Sequence, residues 1–293
     1  MSARRIKAMR GASITRNGRQ CFLRVCVILL LALNGGGCSE RYAMERLFWQ
    51  AERAAKTVIQ HAGAVSSYEF DRAVALFEKV IKQAGADSDF AFNAQLRIAQ
   101  MYGARKEFDK ARALQDAAIN SRPGRQDLIA KALFQKGLTY ETEGDWASAV
   151  AVYKQILDSY PDTQEAASIP LYIARYYAHR GDSVAAEQAY RASVQYFQRI
   201  AEKRPNTKES LLAENMVIRT YIEMEEWQSA VMFIEQLETK YRLGPDTLFI
   251  LGKIYDDRLK DTVKARATYE RIIATWPDSR VAASAKQRLG ELK

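Results

Sequence analysis

One stretch of the chain decides the fold: residues Ala130–Pro161 read AKALFQKGLTYETEGDWASAVAVYKQILDSYP. Its apolar residues recur at helical spacing, and Gly144 interrupts them, which predicts two helices joined by a turn. Gly137 and Ala149 are small enough to let the two helices approach closely. Pro161 cannot continue a helix, so it predicts where the second one ends. The segment therefore indicates a helical hairpin.

The same pattern recurs along the chain. Four tyrosines are each followed nine residues later by an alanine, whereas Tyr255 is followed by Ala265 after ten, which predicts one extra residue in that turn. In three of the repeats a proline comes twelve residues after the alanine. Such regular recurrence predicts a repeat protein. The pairs are Tyr102–Ala111, Tyr140–Ala149, Tyr177–Ala186 and Tyr221–Ala230, and the prolines are Pro123, Pro161 and Pro277.

Two segments depart from the pattern. The proline that follows Ala186 arrives at Pro205, seven residues late. We therefore expect the second helix of that repeat, roughly Ala185–Lys203, to be two turns longer than the others. The stretch Arg280–Lys293 is amphipathic and follows the last proline, which predicts a terminal capping helix.

The order and spacing of these residues resemble the tetratricopeptide repeat, a pair of antiparallel helices of about 34 residues. In that reading Tyr140 and Tyr153 fill the gap between neighbouring hairpins. The resemblance implies an all-α fold, a right-handed solenoid of about six hairpins plus a C-terminal capping helix. We expect a single domain over residues 38–293, with hairpins at about 43–86, 88–124, 127–162, 164–206, 208–245 and 246–279 and the cap at 280–293.

Positive charge is concentrated at the N-terminus. The formal net charge is +9, but residues 1–37 hold seven bases and no acid, so the rest of the chain is almost balanced. Bulk charge therefore gives no argument for nucleic-acid binding, and we expect none.

The same N-terminal segment has the order of a secretory signal peptide. Basic residues are followed by the apolar run Val25–Leu33 and then by the glycines Gly35–Gly37. Nine apolar residues are too few to span a membrane as a helix. We expect residues 1–37 to be removed. The sequence leaves open whether translation starts at Met1 or at Met9.

Cys38 comes directly after this segment. Small residues followed by a cysteine resemble the bacterial lipoprotein signal, in which the cysteine becomes the lipidated N-terminus, although that motif usually has leucine where this chain has Gly35. The resemblance implies a lipid anchor at Cys38 and a place on the periplasmic face of the outer membrane. Ordinary cleavage after Gly37, which leaves a soluble periplasmic protein, is the alternative.

Catalytic patterns are missing from the sequence after Cys38. It contains no HExxH, CxxC, GxSxG, GxGxxG or Walker-type motif, and His61 and His179 fall near the ends of predicted helices. We therefore expect a protein that is not an enzyme, with no catalytic residues, no metal and no cofactor.

A binding groove is the better candidate. In tetratricopeptide proteins the first helices of the hairpins line a concave groove, and in this register its ninth position is basic in three successive repeats. The resemblance implies a groove that takes an extended acidic, partly apolar segment of a partner. The candidate residues are the bases Arg175, Arg219 and Lys253 and the apolar residues Phe134, Leu171 and Phe249.

The signal, Cys38 and the repeats together resemble the envelope tetratricopeptide lipoproteins. The joints DSYPDTQEAASIPLYIARYY (158–177) and ATWPDSRVAASAKQRLGEL (274–292) are similar to those of the BamD family, part of the machine that inserts outer-membrane β-barrel proteins. They are less closely similar to the YbgF family of the Tol-Pal system. The resemblance implies a non-catalytic interaction scaffold of the bacterial cell envelope whose partners are envelope proteins. The alternative is a docking or regulatory subunit for enzymes of peptidoglycan or exported polymers.

Overall fold

The computed structural model describes residues 41–292, so the predicted signal peptide and Cys38 lie outside the described residues. Residues 41–292 are helices joined by short turns, and none of them forms a strand. The predicted all-α fold class is therefore confirmed. The chain divides between Tyr160 and Pro161 into two compact units, called below the N-terminal unit and the C-terminal unit. The single domain over residues 38–293 stays a prediction.

The N-terminal unit is a stack of three helical hairpins. Successive helices pack against each other, and Phe77 of the second helix lies with Ala51, Ala94 and Met101 in one apolar core. Aromatic rings pack edge to face in this core; the ring centroids of Phe48 and Phe77, for example, are 5.9 Å apart. The helices are α1 (41–60), α2 (Ser67–Ala84), α3 (Asp89–Ala104), α4 (Phe108–Asn120), α5 (Gln126–Glu143) and α6 (Trp146–Ser159).

The C-terminal unit contains three further hairpins and one last helix. The predicted capping helix is confirmed, since a helix begins at Arg280 and packs on the preceding hairpin. The helices are α7 (Gln164–His179), α8 (Ser183–Lys203), α9 (Lys208–Glu223), α10 (Trp227–Lys240), α11 (Pro245–Lys253), α12 (Thr262–Thr275) and α13 (Arg280–Glu291), with a π-helical turn over Ile254–Leu259.

Proline positions mark the ends of four second helices, as the sequence predicts. Helix α6 ends at Ser159, directly before Tyr160 and Pro161. The late Pro205 has the expected effect, because α8 runs for 21 residues to Lys203 whereas α6 has 14. The same rule holds before Pro123, where α4 ends at Asn120, and before Pro277, where α12 ends at Thr275.

The extra residue predicted after Tyr255 is absorbed by the π-helical turn Ile254–Leu259. A single π turn takes one residue more than an α turn and so keeps the flanking helices in register. Asp256 and Asp257 lie in this turn, and both carboxylates accept hydrogen bonds from Arg288 of the capping helix. These contacts tie α13 to the π turn.

Glycine allows a close approach inside hairpin α5–α6. A Cβ built on Gly137 would lie 2.2 Å from Cε1 of Tyr153, so only glycine fits beneath that ring. Tyr153 therefore packs against Gly137 of its own hairpin. That it also fills the gap to a neighbouring hairpin stays a prediction. Hairpin α11–α12 repeats the arrangement with Gly252, where a Cβ would lie 2.6 Å from Tyr269.

Candidate functional site

An ion cluster joins the C-terminal ends of α7 and α9. Both Nε and Nη2 of Arg175 donate to the carboxylate of Glu223, over 2.8 and 2.5 Å. Arg219, one turn before Glu223, donates to the same carboxylate over 3.1 Å. A two-pronged bond between guanidinium and carboxylate fixes orientation as well as charge. The hydrogen bonds from Arg175 hold the pKa of Glu223 below its ordinary value, against burial that would raise it.

This cluster changes the predicted row of bases. Arg175 and Arg219 do come together, but Glu223 lies between them and neutralises one of their two charges. Lys253, the third predicted base, is exposed at the end of α11. Sequence reasoning missed Glu223, although its place four residues after Arg219 on one helix is the spacing of a helical ion pair.

The predicted apolar residues of the groove are mainly packing residues. Leu171 is only 2% exposed, so the prediction that it offers an apolar anchor to a partner is wrong. Phe134, in the N-terminal unit, is half-buried with its ring centroid 5.5 Å from that of Tyr153. Phe249, in the C-terminal unit, is half-buried in the same way, 5.8 Å from Tyr269.

Helix α9 instead has an exposed face that is apolar at one end and basic at the other. Leu212 is 57% exposed, and the side chain of Arg219 is 59% exposed. Asn215 lies between them and is also exposed. Residues three, four and seven apart share one face of a helix. We call Leu212, Asn215 and Arg219 the α9 face. In the repeat register they hold the second, fifth and ninth positions, which the resemblance to tetratricopeptide repeats places on the concave side.

An apolar cleft of about 310 Å³ adjoins the start of the α9 face. Its apolar walls include Phe197 and Ile200 from the last turns of α8 and Leu212 and Met216 from α9. Arg204, which follows α8, pairs with Asp162 over 2.8 Å and also lines the cleft. The sequence signal was present in the late Pro205, because the extra turns of α8 supply this wall.

A second cavity, of about 410 Å³, lies beside the turn between α7 and α8. Ala186 and Tyr190 of α8 line it together with Glu187, Glu223 and Glu226. Burial raises the pKa of the Tyr190 hydroxyl above its ordinary value. This cavity is lined by carboxylates that each pair with an arginine, unlike the apolar cleft.

The described residues offer no group of three or more His, Cys, Asp and Glu side chains that could hold a metal ion. Within residues 41–292 none of the helices has both the length and the apolar character needed to cross a membrane.

Comparison with protein families finds three models, each of a tetratricopeptide repeat. They match residues 90–162, 134–205 and 246–279. Together these matches cover about half of the chain and coincide with hairpins from both compact units. A comparison with curated proteins finds no match.

Several solved structures are similar to the chain at low identity. BtubC from P. vanneervenii is 18% identical, with 83% of this chain and 92% of that one covered and a TM-score of 0.39. PilF of Pseudomonas aeruginosa is 13% identical, with coverages of 82% and 99% and a TM-score of 0.35. PilW, a type IV pilus biogenesis factor, is 17% identical, with coverages of 80% and 97% and a TM-score of 0.38.

TM-scores this low carry no argument about function, so the family models and the hairpins decide the assignment. Proteins built from such stacked repeats present extended surfaces to other molecules rather than a catalytic centre. The chain belongs to the tetratricopeptide-repeat proteins.

Proposed function

We propose that the protein is a non-catalytic scaffold of the bacterial cell envelope that holds an extended segment of another envelope protein. The repeats support the scaffold, since this family binds proteins along its first helices. The basic and apolar leader followed by Cys38 supports the envelope and a lipid anchor on the periplasmic face of the outer membrane. Within that setting, assembly of outer-membrane proteins, as in the BamD family, is the role that we propose.

The α9 face is the observation that carries this proposal. Leu212 and Arg219 are seven residues apart, which places them about 10 Å apart along the helix. An extended peptide advances about 3.3 Å per residue, so three residues cover this distance. We therefore propose that the partner segment places an apolar side chain in the cleft beside Leu212 and an acidic side chain three residues away at Arg219.

The net charge around the α9 face is positive, which supports an acidic partner although Glu223 neutralises one of the arginines. Arg175, Arg219 and Glu223 together keep one positive charge, and the exposed Lys253 in the same repeat position of the next hairpin adds another. Exposed charge pairs contribute little each, so the apolar contact supplies most of the affinity and the bases supply the specificity.

Paired substitutions test the binding surface. Leu212→Asp together with Arg219→Glu should reduce co-purification of the envelope partner at least about tenfold, because the apolar contact is lost and the charge is reversed. The matched control is Val263→Asp with Arg266→Glu, two exposed residues of α12 that undergo the same chemical changes. Both variants should keep the helical circular dichroism of the wild type.

Equal recovery of the partner by the two variants would contradict the α9 face as the docking surface. Mass spectrometry of the recovered proteins decides between the roles. Components of β-barrel assembly support the proposal, whereas enzymes of peptidoglycan or exported polymers support the alternative of a docking or regulatory subunit.

The lipid anchor needs a separate test, because Cys38 lies outside the described residues. Acyl chains contribute about 0.8 kcal/mol per buried CH₂, so two or more of them hold a protein stably on a bilayer. Cys38→Ala should therefore move the protein from the membrane fraction to the soluble periplasmic fraction after a salt wash. A variant that still sediments with membranes after the wash would refute anchoring through Cys38.

A further inference from the structure

Helix α1 carries a line of exposed aromatic and basic side chains. Tyr42, Arg46, Trp49, Arg53 and Lys56 follow one another at alternating spacings of four and three residues, so they share one face of the helix. All five are exposed, and the two aromatic residues strongly so, Tyr42 at 68% and Trp49 at 57%. We call these five residues the α1 stripe.

The opposite face of α1 is buried in the core of the N-terminal unit. Leu47, Ala51, Ala55 and Val58 are at most 8% exposed and pack with residues of α2 and α3. The stripe therefore points directly away from the core. Its two large aromatic rings are not required by the packing of this unit, so a different contact accounts for them better.

The charge of the stripe is uniformly positive. Its three bases have no ion pair within residues 41–292, and Arg53 lies over the ring of Trp49, 4.9 Å from its centroid. The neighbouring acids are engaged elsewhere, since Glu45 pairs with Arg41 over 3.1 Å and Glu52 pairs with Arg97 of α3 over 2.7 Å. A helix face of this kind attracts an anionic surface.

We propose that the α1 stripe rests on an anionic phospholipid surface. Tryptophan and tyrosine prefer the boundary between lipid headgroups and acyl chains, and exposed bases bind acidic headgroups. From Tyr42 to Lys56 the stripe is straight and about 21 Å long, which matches a flat surface. The inference goes beyond the proposed scaffold, and it agrees with a lipid anchor because the described part of α1 begins at residue 41, three positions after Cys38.

An acidic peptide is a weaker explanation of the same residues. A cleft of about 470 Å³ between α1 and α3 is lined by Trp49, Lys56, Arg97 and Gln100 among others. A peptide in this cleft would contact one end of the stripe but not Tyr42 and Arg46, which do not line it. A planar surface contacts all five residues at once.

Vesicle binding of protein without a lipid anchor tests the proposal. The mature chain carrying Cys38→Ser, secreted through an ordinary cleavable signal peptide, is sedimented with vesicles of phosphatidylcholine alone and of phosphatidylcholine with phosphatidylglycerol. We expect binding only to the vesicles with phosphatidylglycerol, and weaker binding in high salt. Arg46→Gln, Arg53→Gln and Lys56→Gln combined should lower the partition coefficient about a hundredfold, since each base near an anionic surface contributes about fivefold.

The control removes the same charge from another helix. Arg72, Lys79 and Lys82 are exposed bases of α2, and replacing all three by glutamine should hardly change the partition coefficient. Equal losses in the two triple variants, or no binding that depends on phosphatidylglycerol, would overturn the proposal. Loss of a co-purified protein from the α1 variant with unchanged vesicle binding would overturn it as well, and would assign the stripe to a protein partner. None of these results depends on lipidation of Cys38 or on the α9 face.

Discussion

Hairpins α5–α6 and α7–α8 follow the same repeat pattern but differ in the free space around their equivalent tyrosines. In α5–α6, Gly137 leaves room for the ring of Tyr153, which is fully buried against the helix. In α7–α8 the corresponding residues are Ala174 and Tyr190, and the ring of Tyr190 borders a cavity of about 410 Å³. Glycine beneath the ring therefore goes with a fully buried tyrosine in α5–α6, whereas the tyrosine of α7–α8, opposite alanine, has open space beside it.

The second helices differ as well. Helix α6 stops at Ser159, whereas α8 continues to Lys203 and builds one wall of the apolar cleft beside Leu212. The regular hairpin thus ends before such a wall can form, while the irregular one supplies a wall of the cleft that we propose a partner enters. The cleft that we propose as part of the binding surface thus arises where the chain departs from the repeat pattern.

The largest expected effect comes from adding bulk at the equivalent alanines of the two hairpins. Ala149 is fully buried, so Ala149→Leu overpacks the α5–α6 hairpin and should lower the free energy of unfolding by about 3 kcal/mol. Ala186 lines the cavity of about 410 Å³, so Ala186→Leu has room for its side chain and should cost less than about 1 kcal/mol. Urea denaturation measures both values. Similar costs at the two sites would contradict this difference in free space.

Replacing Glu223 should change the free energy of unfolding less. This residue of α9 binds Arg175 of the α7–α8 hairpin, and so it tests the irregular hairpin alone. The carboxylate has its pKa lowered in the folded state by Arg175, so its contribution to stability is present above about pH 4.3 and is lost as the pH falls through the folded pKa. Because the side chain is partly exposed, the contribution is about 1 kcal/mol or less. Glu223→Gln should therefore destabilise the protein at about pH 7 and have almost no effect at about pH 3.

Urea denaturation of wild type and Glu223→Gln at the two pH values measures this difference. A cost that is the same at both would mean that Glu223 acts through its shape rather than through its charge. The variant also raises the positive charge around Arg175 and Arg219, so it should bind an acidic partner at least as well as the wild type.

Much of the fold could be predicted from the sequence because the repeat is local. Tyrosine, alanine and proline at fixed intervals predict the hairpins, the late Pro205 predicts the length of α8, and the ten-residue interval after Tyr255 predicts the extra residue of the π turn. These features depend only on residues close together in the chain.

The candidate site was predicted less well, because it depends on contacts between helices. The bond from Arg175 to Glu223 joins residues 48 positions apart, and neither residue signals the other in the sequence. Burial of Leu171 depends in the same way on what packs around α7. The repeat register identifies positions on a helix face, but tertiary packing decides which of them stay exposed.

Site-specific photo-crosslinking tests most directly the claim that the α9 face holds a protein partner. A photoreactive phenylalanine derivative is placed at Asn215, in the centre of the α9 face, and at Met232 of α10 as a control, since Met232 is 69% exposed in the same unit. After irradiation of intact cells we expect a discrete crosslinked protein from position 215 and none from position 232. Crosslinks of the same identity and yield from both positions, or crosslinks from position 232 alone, would contradict the account.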